Sequence, residues 1–267
     1  MAVFCQHSVV LYRIRTDLTY PGNPMTRLYS ITLSFFALLL VTTAAARAQA
    51  PDLSGFWTVQ FGAEPGSTDL MEKLPDDAIF INDAGGGELA EGDYGGLTLT
   101  DRALEEIRNY DFDYEFSVGY TCVPPSAAFY MQAPFPMEIH QGRDMIVLRM
   151  EYFDMVRIVF MDGREHPGED YPHSKNGHSI GHWEGDELVV DTTHMSESTF
   201  MNNGFNHSEN LHMVERFKMS EDGSTLFLTQ LYEDPEVFRE RASRFMAWRK
   251  VPGEHIYPYD CDPSFGI

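Results

Sequence analysis

The sequence predicts a mainly β protein: an antiparallel up-and-down barrel of about eight or nine strands, with one short helix and a long N-terminal loop region. Three observations carry that expectation. From residue 137 onward the chain is a succession of short segments rich in β-branched and aromatic residues. Compact Gly- and Asp-containing connectors separate several of them, and only one stretch of the chain has a clear helical period.

The elements follow in order. Residues 1–24 show no clear hydrophobic period, and Met25 opens "MTRLYSITLSFFALLLVTTAAARAQA". Arg27, the apolar run from Ile31 to Val41 and the closing Ala48-Gln49-Ala50 make a secretory signal with a small-residue cleavage site. A membrane anchor would need about 20 apolar residues and no such site. Residues 1–24 are therefore expected to be an upstream extension, 25–50 a signal peptide and 51–267 a single domain of periplasmic or secreted location. "LSGFWTVQF" (53–61) reads as the first strand. Residues 62–99, with Gly85-Gly86-Gly87 and several acids, read as a long loop or lid. They are not a phosphate cradle, because Gly-Lys-Ser/Thr is missing. "TDRALEEIRNYD" (100–111) is the helix: Thr100 or Asp101 can cap it, and Leu104, Ile107 and Tyr110 share a face.

The remaining strands are "MEIHQ", "DMIVLRMEY", "MVRIVFM", "HSIGHWE", "ELVVDTTH", "LHMVERFKM", "TLFLTQLYE" and "SRFMAWRK". Nine strands in meander order close most economically as a barrel, which removes exposed edges.

The net charge is −22, and loss of residues 1–50 removes four arginines and one aspartate, leaving −25. Such a field repels phosphate backbones and anionic lipid surfaces. The expected partner is a small-molecule ligand or substrate, not nucleic acid, and no stable membrane association is expected after signal cleavage. Cys5 leaves with the same segment. Cys122 and Cys261 remain, and in an oxidising compartment they are expected to form a disulfide pinning the C-terminal tail, the alternative being two free buried thiols.

Gly55-Phe56-Trp57 at the start of the first strand resembles the G-x-W that opens lipocalin-like barrels. The resemblance implies a basic partner for the tryptophan from the last strand, a role open to Arg249 in "MAWRK". "PDLSGFW", "CVPP", "MDGREHP", "GHSIGHWEGDELVVDT" and "HSENLHMVERF" together resemble an uncharacterised family of exported bacterial proteins. That likeness spans most of the expected mature chain and implies no activity.

Within "GHSIGHWEGDELVVDT" the first five letters spell the G-x-S-x-G of a serine nucleophile elbow. An elbow needs a buried strand before it and a helix after it. Here a polar loop with Pro167 and Pro172 precedes, and Gly185 with a run of valines follows, so Ser179 is set aside as a nucleophile. Read as a hairpin turning at Gly185-Asp186, the stretch pairs Glu184 with Glu187, His182 with Val189, Ile180 with Asp191 and His178 with Thr193. One face then carries His178, Ile180, His182, Val189 and Asp191; the other carries Ser179, Gly181, Trp183, Leu188, Val190 and His194. Apolar residues generally claim the packed face, which would send the histidines toward water. The local density of histidine argues instead for a functional face.

Asp191 lies diagonal to His178 and His182, and a carboxylate beside an imidazole fixes its tautomer and raises its basicity. His212, on the face it shares with Val214 and Arg216, joins these three as the candidate catalytic set. Arg157, Arg164 and Arg216 are candidate substrate-binding groups, able to stabilise an oxyanion or enolate. His166, His173 and His207 are candidate metal ligands, which could complete a zinc, copper or iron site with His178 or His212. No H-x-H, H-E-x-x-H or C-x-x-C spacing supports one, and residues i and i+4 on a strand stand too far apart to share an ion. The sequence thus points to a cofactor-independent acid/base enzyme of isomerase, lyase or cyclase type on a small, partly apolar or aromatic substrate. A non-catalytic ligand-binding barrel and a metal-assisted hydrolase or oxygenase are the alternatives.

Overall fold

A computed structural model describes residues 50–81, 83 and 89–266. The upstream extension 1–24, the signal segment up to Gln49 and the triple glycine Gly85-Gly86-Gly87 lie outside the described residues. The chain runs β1 (Gly55–Val59), β2 (Ala78–Phe80), α1 (Asp101–Arg108), α2 (Phe112–Glu115) and α3 (Ala127–Tyr130). It continues through β3 (Met137–Gln141), β4 (Met145–Met150), β5 (Val156–Phe160), β6 (His178–Glu184) and β7 (Glu187–Thr193). Then come β8 (Ser198–Met201), β9 (Phe205–His207), β10 (His212–Met219), β11 (Thr225–Glu233) and β12 (Arg241–Lys250).

Nine strands close into a barrel in the order β1-β3-β4-β5-β6-β7-β10-β11-β12, with β12 returning to β1. The mainly β barrel is as expected, and all but one of its seams are antiparallel. The exception is β5 against β6, which run parallel through Val159–Ser179 and Phe160–Ile180. A parallel pair cannot be joined by a tight turn, so residues 161–177 must carry the chain back along the barrel before β6 begins. That crossover decides what covers the site described below.

Alternation fills the interior. Trp57, Met137, Ile139, Ile146, Leu148, Val159, Leu188, Val190, Met213, Phe217, Leu228 and Trp248 form one continuous core. Trp57 sits inside the barrel, but the cation over its ring is Lys250, with its Nζ 5.0 Å from the centroid. Arg249 does not take that place. It pairs across the strands with Thr58 and points outward, whereas Lys250 stands opposite Trp57.

The described part of residues 62–99 is not a free lid. Leu70 is buried, β2 adds parallel to β12, and Leu99 bridges to Phe238. Lys73 pairs with buried Glu187, Lys218 reaches Asp69 at 2.7 Å, and Arg241 pairs with Asp77. Ordering each residue of such a segment costs conformational entropy, and these straps hold its described part on the barrel wall. Helix α1 begins as its sequence requires, with Thr100 Oγ1 accepting from the Ala103 amide at 3.2 Å. The short α2, the buried α3 and the β8–β9 hairpin add to the barrel without having shown a clear period in sequence. Cys122 and Cys261 form a disulfide with Cα atoms 5.8 Å apart, tying the tail to the body. Among the described residues no helix is long and apolar enough to cross a membrane.

Candidate functional site

The β6–β7 hairpin has the register that its turn chemistry requires: His178–Thr193, Ile180–Asp191, His182–Val189 and Glu184–Glu187 stand opposite one another. Ser179, Leu188, Val190 and Thr192 point into the barrel and are buried. His178, His182 and Asp191 therefore lie on the outer surface, the arrangement that hydrophobicity alone favours.

The outer surface is not simply solvated at this place. The crossover that the parallel β5–β6 seam demands lays His166, Tyr171 and His173 over the strands. His166 Nε2 lies 3.0 Å from Asp191 Oδ1, and His212 Nε2, from β10, lies 2.9 Å from the same oxygen. His166 Nδ1 lies 3.0 Å from His178 Nδ1. Because a carboxylate only accepts, His166 and His212 both donate to Asp191 through Nε2. A neutral His166 then offers a bare Nδ1 that accepts from His178 Nδ1–H, leaving His178 Nε2 as its basic nitrogen. The result is a chain His178–His166–Asp191–His212 that joins β6, the crossover, β7 and β10.

Aromatic and hydroxyl groups frame this chain. Phe160 stacks on the His178 ring at 5.3 Å, and Tyr171 meets His178 and His194 edge-on. Thr193 Oγ1 is 3.1 Å from His166 Nδ1 and 2.8 Å from His194 Nδ1, while His194 Nε2–H donates to the Gly168 carbonyl at 3.2 Å. His194 takes a positive φ of 58°, which helps it reach the loop; such backbone is uncommon for any residue but glycine.

The environments push the two end histidines apart. Burial lowers the His178 pKa, helped by the charges of His166, Arg164 and His194. The hydrogen bond to Asp191 raises that of His212 against an opposing effect of burial. Burial alone would raise Asp191, but the hydrogen bonds and charges of His212 and His166 outweigh it and leave the carboxyl lowered. A histidine that readily keeps its proton and one that readily gives it up, linked through one carboxylate, is the arrangement acid/base chemistry uses. Access is unequal: the His178 residue is 8% exposed, whereas the His212 side chain is 38% exposed.

Not all the residues singled out in the sequence meet here. His182 lies apart, 62% exposed and paired with Glu184 at 3.1 Å. Arg157 is inside the barrel, on the opposite face of the sheet. Its Nε donates to Ser179 Oγ at 3.0 Å, its Nη2 donates to Thr192 Oγ1 at 2.7 Å, and it forms an ion pair with buried Glu215. Arg216 shares the outer face but bonds Glu184 at 2.7 Å, and Arg164 grips Asp162 while stacking 3.7 Å from the Phe160 centroid. Arg164 is thus the nearest of the three arginines to this cluster in effect.

The metal candidates also separate. His166 joins the chain, whereas His173 packs 5.3 Å from the His194 ring. His207 is buried elsewhere, with Nδ1–H donating to the Ser208 carbonyl at 2.8 Å and Nε2 accepting from Ser126 Oγ at 2.6 Å. Burial pushes its pKa down to about 4. Among the described residues no three His, Cys, Asp or Glu side chains are placed to hold a metal ion. Thr193 and His194 were not singled out as contributors in the sequence, although alternation puts Thr193 on the face of Asp191. Nothing local to the sequence fixes the path of the crossover that brings His166 there.

No family model matches the chain, and a comparison with curated proteins finds no match.

Proposed function

We propose that the His178–His166–Asp191–His212 chain is the acid/base site of an exported enzyme. Its substrate would be small and partly apolar or aromatic, and its reaction a proton transfer of the isomerase, lyase or cyclase kind. His212 is the group that meets substrate, because its imidazole is more accessible than those of His166 and His178 and keeps its proton more readily than His178. Asp191 positions it, while part-exposed His166 and buried His178 form a branch able to pass a proton to or from the carboxylate side. Tyr171 and Phe160 supply aromatic surface beside the chain. The single observation that carries this reading is one Asp191 oxygen shared by two imidazoles, at 3.0 and 2.9 Å. A side chain positioned for such transfer contributes roughly 10²–10⁴ in rate. Export is supported by the disulfide, which persists in oxidising compartments.

Mass spectrometry of small molecules retained by protein purified from its native periplasm would supply the substrate or product. With that molecule in hand, His212→Gln is expected to lower turnover by about 10²-fold or more while binding is retained. Turnover at the wild-type rate sinks the proposal, and a loss of binding alone would make the protein a ligand-binding barrel.

A further inference from the structure

A cavity of about 440 Å³ lies away from the histidine chain, between α1, the segment 110–120 and the β8–β9 hairpin. Its size falls in the range of small-molecule sites. Three tyrosines wall it, Tyr110, Tyr114 and Tyr120, with the Tyr114 and Tyr120 rings 5.2 Å apart and tilted toward each other. Five carboxylates also line it, Glu105, Glu106, Asp111, Glu115 and Glu197, together with Asn109 and Asn206. Among the described lining residues there is no lysine or arginine.

The neighbouring cations are committed. Arg102 serves Glu106 at 2.8 Å, Glu236, and Glu197 at 3.9 Å; Arg108 stands 3.8 Å from Glu105; Lys175 Nζ donates to the Glu197 backbone carbonyl at 2.8 Å. Asp111 uses Oδ1 to cap the amides of Asp113 and Tyr114. Burial above all, and then the Glu106 and Glu209 charges, raise the pKa of Glu197 against the opposing charges of Arg102 and Lys175. A disulfide anchors the chain just beyond the aromatic wall. Cys122 ties the end of this segment to Cys261, and the tail beyond it packs so closely on Val118 that a Cβ on Gly266 would come within 2.6 Å of Val118 Cα.

We propose that this cavity binds a small organic ammonium ion. Ring faces attract a cation, carboxylates around them add to that attraction, and a hydrated metal ion would gain nothing from the tyrosines. The anchored wall lowers the cost of ordering the site on binding. None of the lining residues belongs to the histidine chain, so this inference stands or falls separately from the proposed enzyme.

The test is calorimetric titration of the purified protein with choline and with 3,3-dimethylbutan-1-ol, its uncharged isostere, at matched ionic strength. Choline is expected to bind at least about tenfold more tightly than the alcohol. Tyr114→Leu and Tyr120→Leu, which keep bulk but remove the ring face, should lose that preference, whereas Tyr114→Phe and Tyr120→Phe should retain it. Glu115→Gln should weaken choline without changing the alcohol, and circular dichroism checks that each variant is folded. Equal binding of the two probes, no saturable choline binding to the wild-type protein, or calcium binding in its place would each overturn the proposal. Equal loss in the Phe and Leu variants would overturn the aromatic part of it.

Discussion

The β6–β7 hairpin places two sets of polar residues back to back. On its inner face Ser179 and Thr192 receive Arg157, whose ion pair with Glu215 is sealed from water. On its outer face Asp191 gathers His166 and His212, and both imidazoles are part-exposed. The same strands and the same types of bond thus give two different devices. Inside, the ions cannot change charge or leave without a large penalty, so the network fixes the barrel. Outside, the groups keep contact with water, and their surroundings lower the pKa values of His178 and Asp191 while raising that of His212. A hydrogen-bonded charge is structural or reactive according to its access to water more than its chemistry.

The sharpest way to break that contrast is to remove one inner partner. Glu215→Ala should cost about 3–5 kcal/mol, because it leaves the Arg157 guanidinium buried without its counter-ion. Urea unfolding measures this directly. The double variant Arg157→Met, Glu215→Leu should recover much of the loss; equal destabilisation of single and double variants would mean that something other than the stranded charge dominates.

A second expectation concerns acid. His207 is buried neutral, with a folded pKa of about 4 against about 6.5 in the unfolded chain. The unfolded state therefore binds more protons between those values. Stability from this group is fully present above about pH 6.5 and lost as pH falls toward 4, by up to about 3 kcal/mol. The His207→Gln variant should show a flatter dependence of unfolding free energy on pH in that window; an unchanged slope would assign the loss to other groups. His212 runs in the opposite sense. Its raised pKa contributes stability at pH below the unfolded value, which is lost as pH rises through the folded one.

The smallest expected stability effects are on the outer face. Asp191→Asn should cost about 1 kcal/mol or less, since its pairs are part-exposed. It should nevertheless bring the His212 titration down, as followed by the NMR shift of its ring protons against pH. His182→Ala, at an exposed position, should stay within about 0.5 kcal/mol of wild type. An His212 titration unmoved by Asp191→Asn would dissolve the link on which the proposed site depends.

Much of the barrel was legible because alternation and turn chemistry are local. The hairpin register from Gly185-Asp186, the Thr100 cap and the two sets of faces on β6, β7 and β10 all follow from neighbours in the chain. The sequence correctly grouped His178, His182 and Asp191 on one face but left open which face turns inward. That choice belongs to the closed barrel: Trp183, Leu188 and Val190 join a core assembled from nine strands, and the histidine face must then lie outside. Arg157 misled because a buried arginine needs a partner, and Glu215 is 58 residues away in sequence.

By itself, then, the sequence determined the nine strands of the barrel, their pairing across tight turns and the cysteine pair available to bridge. Tertiary structure alone decided the parallel β5–β6 seam, the crossover that seam requires, and hence the meeting of His166 with Asp191. The physical reason is range. Period-two alternation and turn preferences act over a few residues, whereas closure of a barrel and the path of a 17-residue connection across it depend on contacts between segments that the local pattern does not relate.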